Sequence, residues 1–180
     1  MEVQPIRDRN KIQKIKQLLK EKSPRDYLLF IMGINSGLRI SDILKLKVKD
    51  VKNKTHINIE ETKTRKKKRF LINVNLKHAI DQYITNKKDD EYLFKSRQGG
   101  NTPINRTMVY KILNNVASLV GLTDVGTHTL RKTFSYWHYK QFKDTALLQE
   151  ILNHSSQRIT LIYAGIAQDE IDESYMLFDI

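Results

Sequence analysis

The apolar positions change period twice along this chain. From Asp8 to Glu21, residues Ile12, Ile15, Leu18 and Leu19 share one face at helical spacing and predict an amphipathic helix. Ser23-Pro24-Arg25-Asp26 then supplies an N-cap, a proline at the first helical position and an acid three residues after the cap. The helix it opens, through Tyr27, Leu28, Ile31 and Met32, is expected to stop near Ser36-Gly37. Another helical turn is expected from Ser41-Asp42 through Ile43, Leu44 and Leu46. Strand-like spacing follows. Val48 and Val51 predict a short strand, and His56, Ile57, Ile59 and Phe70, Leu71, Ile72, Val74 predict two more around a basic turn. From Leu76 onward helical spacing returns, over about 76–86, 105–120, 128–141, 144–152, 156–164 and 168–178. The expected fold is mainly α with a small three-stranded antiparallel β-sheet.

Composition narrows the class. The 180 residues suit one domain with a real core, and 39% hydrophobic with 29% charged residues describes a soluble globular protein. No apolar run approaches the ~18–20 residues of a membrane span, and the first ten residues lack signal-peptide character. Cysteine is absent, which removes a disulfide framework and a thiolate metal site. A cytoplasmic protein without membrane contact is expected.

The net charge of +12 is unevenly spread. Residues 1–90 hold 23 Lys+Arg against 11 Asp+Glu, whereas residues 91–180 hold 9 of each. The stretch from Ala164 to Ile180 has five acids and no Lys or Arg. The basic part is enough to attract a polyanion. The acidic end should face something else.

Candidate chemistry sits at four places. Arg39, in S-G-L-R-I-S-D, is boxed by Leu38, Ile40, Ile43 and Leu44, with Asp42 three residues on to pair with it. It is either an oriented phosphate-binding guanidinium or half of a structural Arg–Asp pair. The run K-T-R-K-K-K-R over residues 63–69 is either a general phosphate-contacting patch or a hairpin tip whose lysine donates a proton. His128 and Arg131 share a helical face at a helix start, as an anion site or as a packed histidine beneath an arginine. Lys132 and His138 read as ordinary surface residues, and Phe134, Trp137 and Phe142 as apolar core or interface. Tyr163 follows His154 across a tight turn and either fills core space or acts as a nucleophile activated by cations. Histidines 56, 78, 128, 138 and 154 form no metal-binding spacing, and no nucleotide loop, G-x-S-x-G elbow or D-x-D-type carboxylate cluster suggesting a Mg²⁺ nuclease is present. No cofactor and no metal are expected.

Together these segments resemble the catalytic domain of the tyrosine recombinase (phage integrase) family, in order and over roughly residues 10–165. S-G-L-R-I-S-D-I-L-K-L resembles the first arginine motif, E-T-K-T-R-K-K-K-R-F-L-I the lysine hairpin, H-T-L-R-K-T-F the second arginine box, and L-N-H-S-S-Q-R-I-T-L-I-Y the terminal box. One departure is Asn153, where the family commonly has glycine before the histidine; asparagine tolerates the left-handed backbone.

The resemblance implies a DNA breaking-rejoining fold and a site-specific recombinase needing neither metal nor ATP. Tyr163 would be the nucleophile, Arg39, Arg131 and His154 the oxygen-holding groups, His128 the general acid/base and Lys63 the proton donor, with Asp42 in support. It implies a catalytic domain over 1–167, an acidic segment 168–180 for contact between protomers, and no N-terminal core-binding domain in this chain. Double-stranded DNA is the expected partner, with further protomers and possible accessory DNA-bending proteins. Lys66, Lys67, Asn105, Arg106, Thr107 and Lys111 are candidate DNA contacts. A non-catalytic DNA-binding relative and a topoisomerase IB-like relaxer are the alternatives.

Overall fold

The computed structural model describes residues 3–179. Helix α1 (Arg9–Lys22) is capped by Asp8, whose carboxylate accepts from the amides of Asn10 and Lys11. Helix α2 (Pro24–Ser36) starts on the Ser23 cap with proline in its first turn and ends at Gly37. Gly37 is left-handed, with φ 61°, and a Cβ there would lie 2.7 Å from the Phe134 ring. Only glycine meets both demands, so the chain turns sharply toward Arg39.

Two one-turn helices follow, α3 (Ile40–Ile43) and α4 (Val48–Val51), and then the hairpin of β1 (His56–Glu60) and β2 (Lys67–Leu71). The strands pair antiparallel, from His56 opposite Leu71 to Glu60 opposite Lys67. The expected third strand is absent, because Val48 and Val51 form a helical turn and are both fully buried. Their i, i+3 spacing satisfies a helix as well as a strand edge, and Asp50 decides by accepting from the Lys47 amide at 2.8 Å. The neighbouring backbone pairs instead with 91–93: Leu93 N–H donates to Leu46 O at 2.8 Å and Val48 N–H to Glu91 O at 2.9 Å.

The remaining helices are α5 (Val74–Ile84), α6 (Arg106–Leu119), α7 (Thr129–Phe142), α8 (Thr145–Leu152), α9 (Gln157–Ala164) and α10 (Ile166–Leu177). They lie within two residues of the periodicity-based bounds. No helix among the described residues is long and apolar enough to cross a membrane.

The apolar side chains gather in two clusters. The larger joins α1, α2, the small helices, the hairpin, α5, α6 and Leu130 at the start of α7. The smaller holds Tyr136, Tyr139, Leu148, Leu152, Ala164 and Ile166, with Phe134, Trp137, Leu161 and Tyr163 packed against it. Helix α7 belongs to both. The segment before α1 straps it down: Ile6 N–H donates to Thr133 Oγ1, and Trp137 Nε1 donates to Ile6 O, each at 2.9 Å.

Candidate active site

The seam between the two clusters collects the charged side chains. Arg131, on the first turn of α7, is 3% exposed. Its Nη1 donates to Gly37 O at 2.8 Å and its Nη2 to Leu152 O at 2.6 Å. One guanidinium therefore ties the end of α2 to the end of α8. Two of its N–H groups are satisfied by carbonyls, and it has no salt bridge among the described residues, Glu61 and Asp42 acting on it only as more distant charges. A buried charge without a direct ion-pair partner costs several kcal/mol, on the order of 3–5 in known pairs broken on one side. The arrangement favours an incoming anion.

Arg39 caps α3 and faces the same seam, with its Nη1 2.9 Å from Glu61 Oε1. The contact is close but not aligned as a hydrogen bond. The acid beside Arg39 is thus Glu61, not Asp42 as the spacing had suggested. Asp42, 2% exposed, turns its Oδ1 to the hairpin entry, accepting from Thr62 N–H at 2.8 Å and Thr62 Oγ1 at 2.6 Å. The supporting role expected for Asp42 is therefore not a direct contact with Arg39.

His154 follows the left-handed Asn153 (φ 55°), which ends α8. Its Nδ1 lies 3.3 Å from Thr160 Oγ1, whose own proton goes to Ser156 O at 2.9 Å. This pattern assigns the proton of the neutral ring to Nδ1 and leaves Nε2 bare. Burial, reinforced by Arg131 and Arg39, lowers the imidazole pKa to about 4. The ring stands edge-on to Tyr163, with centroids 5.0 Å apart.

The Tyr163 hydroxyl is buried without a well-formed hydrogen bond. Burial raises its pKa, while the Arg131 and Arg39 charges pull it back down. Arg131 Cζ lies 5.9 Å and Lys132 Nζ 5.4 Å from the tyrosine ring centroid. Lys132, expected at the surface, is 6% exposed. His138, likewise expected there, is half-buried between the rings of Phe134 and Phe142. Both corrections have one cause: α7 is covered on nearly every side, so its polar positions are not solvent positions.

His128 sits exposed at the N-cap of α7, and desolvation, then the charges of Arg106 and Arg131, lower its pKa. Lys63 is exposed in the hairpin turn and makes no hydrogen bond or ion pair among the described residues. The lysine drawn inward is Lys68, whose Nζ donates to Ile151 O at 2.5 Å. Burial, then Arg131, bring its pKa down to about 8. Among the other candidates, Lys66 reaches Asn153 Oδ1 at 3.0 Å and Lys67 is exposed. Asn105 spends its side chain capping α6, accepting from Met108 N–H at 2.8 Å, while Arg106, Thr107 and Lys111 are exposed on that helix.

Arg39, Arg131, His154 and Tyr163 therefore meet at one point, with His128 at the edge and Lys63 outside. Sequence reasoning missed Glu61, Lys68 and Lys132. The available signal for Lys68 was its place on β2, where alternation turns Lys68 and Phe70 inward together. No group of residues able to hold a metal ion occurs among those described.

The family model described as "Phage integrase family" matches residues 7–170. The chain is 53% identical over 176 residues to the probable integrase/recombinase YoeC of Bacillus subtilis (strain 168), covering 98% of this chain and 97% of that protein. It is 26% identical to the tyrosine recombinase XerA of Pyrococcus furiosus over 91% of this chain, spanning 58% of that longer protein. A crystal structure of XerA recombinase shares the fold with a TM-score of 0.77 at 21% identity, over 96% of this chain and 65% of that one. A lambda integrase dimer bound to a core site does so with a TM-score of 0.73 at 17% identity, over 93% and 49%. With a match across almost its whole length and a full-length relative at more than half identity, the chain belongs to the phage integrase family.

Proposed function

We propose that this chain is a site-specific DNA recombinase that cuts and rejoins strands through a 3′-phosphotyrosyl link. The observation that carries the reading is Arg131: buried, bonded to two carbonyls with no salt bridge among the described residues, and beside a tyrosine whose hydroxyl has no well-formed partner. A backbone phosphate would engage the guanidinium and the hydroxyl together. The Tyr163 oxygen attacks phosphorus, the bond to the 5′-oxygen breaks, and the tyrosine proton passes to His128, which is neutral and at the edge of the site. Arg39 and Arg131 hold the non-bridging oxygens as negative charge grows there. His154 joins them through Nε2 once the phosphate draws a proton onto that atom. Lys63, free in the hairpin turn, swings in to protonate the departing 5′-oxygen. The covalent link keeps the bond energy, so rejoining needs no ATP.

The catalytic unit in this reading is 1–167. Residues 168–180 serve contact between protomers, which the exposure of Ile171, Tyr175, Met176, Leu177 and Phe178 supports. Relatives of the same fold have been seen on DNA, including a lambda integrase tetramer on a Holliday junction. Double-stranded DNA is the partner, met in the cytoplasm, with accessory DNA-bending proteins belonging to the same expectation. The test is a nicked suicide duplex. The wild-type chain should form a covalent adduct, and Tyr163→Phe should bind the duplex equally and form none. An adduct that persists in Tyr163→Phe overturns the assignment.

A further inference from the structure

One carboxylate in the site has no part in that chemistry. Glu61 is 1% exposed, two residues before the most basic stretch of the chain. Oε1 touches Arg39 Nη1 at 2.9 Å, while Oε2 accepts from Thr64 Oγ1 at 2.7 Å and from Asn153 Nδ2 at 3.1 Å. Asn153 in turn accepts from Lys66 Nζ at 3.0 Å, and Lys68 reaches the carbonyl of Ile151. Three segments far apart in sequence thus meet on one side chain: the turn bearing Arg39, the basic hairpin, and the cap before His154.

We propose that Glu61 is a positioning residue for the phosphate site, fixing the Arg39 guanidinium and clasping the hairpin to the loop that carries His154. This rests on the reading that the cluster cuts a phosphodiester. Charge alone argues against an affinity role. A carboxylate beside Arg39 weakens the attraction for phosphate, so Glu61 opposes binding while it orients a binder. Its ionised state is maintained: burial alone would raise the carboxyl pKa, but Thr64, Asn153 and Arg39 together hold it below the usual carboxylate range. Asn153 is what makes the clasp possible. A glycine would satisfy the left-handed backbone there but would have no amide to donate.

The two roles have opposite signatures. Glu61→Gln keeps the shape and an acceptor for Thr64 and Asn153, yet turns a repelling amide toward Arg39 and removes a negative charge. If Glu61 positions Arg39, cleavage at saturating duplex should slow on the order of 10–100-fold, while the dissociation constant stays equal or falls. Asn153→Gly should slow cleavage less, and the double variant should be no slower than Glu61→Gln alone, because both act through one contact. In the nitrogen-15-labelled chain without DNA, the Arg39 Nε–H signal should be resolved in wild type and lost to exchange in Glu61→Gln. Wild-type cleavage rates in Glu61→Gln overturn the proposal, as does a parallel loss of rate, affinity and melting temperature. If the wild-type chain itself forms no adduct, the recombinase reading fails, and the Arg39 signal decides this one alone: an unchanged signal in Glu61→Gln overturns it.

Discussion

The two apolar clusters support the site unequally. Arg39 grows from the larger, where Leu28, Leu29, Phe30 and Met32 are all at most 1% exposed and α2 is gripped by its neighbours. His154 and Tyr163 stand on the smaller, formed by short helices α8 and α9 around Leu148, Leu152, Ala164 and Ile166. Beyond Ile166, α10 is held mainly by polar contacts, Arg7 with Asp169 and Tyr139 with Glu170. The Arg39 side is thus rigid by burial, while the side carrying His154 and Tyr163 has fewer apolar contacts and should open locally at lower cost. Arg131 stitches one to the other through Gly37 and Leu152.

Cutting that stitch should have the largest effect. Arg131→Ala should lower the rate of covalent adduct formation about 10²–10³-fold, the range for losing one donor to a developing oxyanion. Amide exchange should also quicken in α8 and α9 while α2 stays protected. Uniform loss of protection would show that the clusters are one cooperative unit and dissolve the contrast.

Paired core truncations sharpen it further. Leu28→Ala and Leu148→Ala each remove a fully buried side chain, and each should cost about 2–5 kcal/mol. In Leu28→Ala the cost should appear in the global denaturant midpoint. In Leu148→Ala a larger part should appear as local exchange of α8 and α9, with adduct formation falling more than the midpoint does.

The next effect is read in pH. Folding lowers the His154 pKa from 6.5 to about 4, so the unfolded chain binds the proton first as pH falls. Stability should therefore decline from about pH 6.5 to about 4 and level off below, as far as this group contributes. Urea melts of wild type and His154→Asn across that range should diverge, with the variant flatter. Matching slopes would mean that His154 is as solvated when folded as when unfolded.

The smallest effect belongs to the rim. Arg106→Ala and Lys111→Ala should weaken duplex binding mildly and flatten its salt dependence by about one counterion each. An unchanged salt slope would remove the start of α6 from the DNA-facing surface.

Much of the site was legible because its motifs are local. Arg39 follows a helix-ending glycine, Arg131 stands three residues from His128 at a helix start, and His154 and Tyr163 flank one tight turn. Glu61 was illegible because nothing in E-E-T-K-T-R says that one acid is buried. That follows from the approach of Asn153, 92 residues later. Lys132 misled for a related reason, since a lysine on a helix reads as solvated unless the helix is enclosed. The missing third strand failed on spacing, because Val48 and Val51 fit a helical turn equally well.

By itself the sequence determined the long helices, several of their caps, the basic hairpin and the candidate phosphate-handling residues, because periodicity, capping and motif order are properties of neighbours along the chain. Only the tertiary structure decided which acid faces Arg39, which lysine turns inward, and that Arg131 bridges two unequal cores. Those outcomes depend on burial and on contacts between distant segments, and electrostatics inside a buried seam has no counterpart in local sequence.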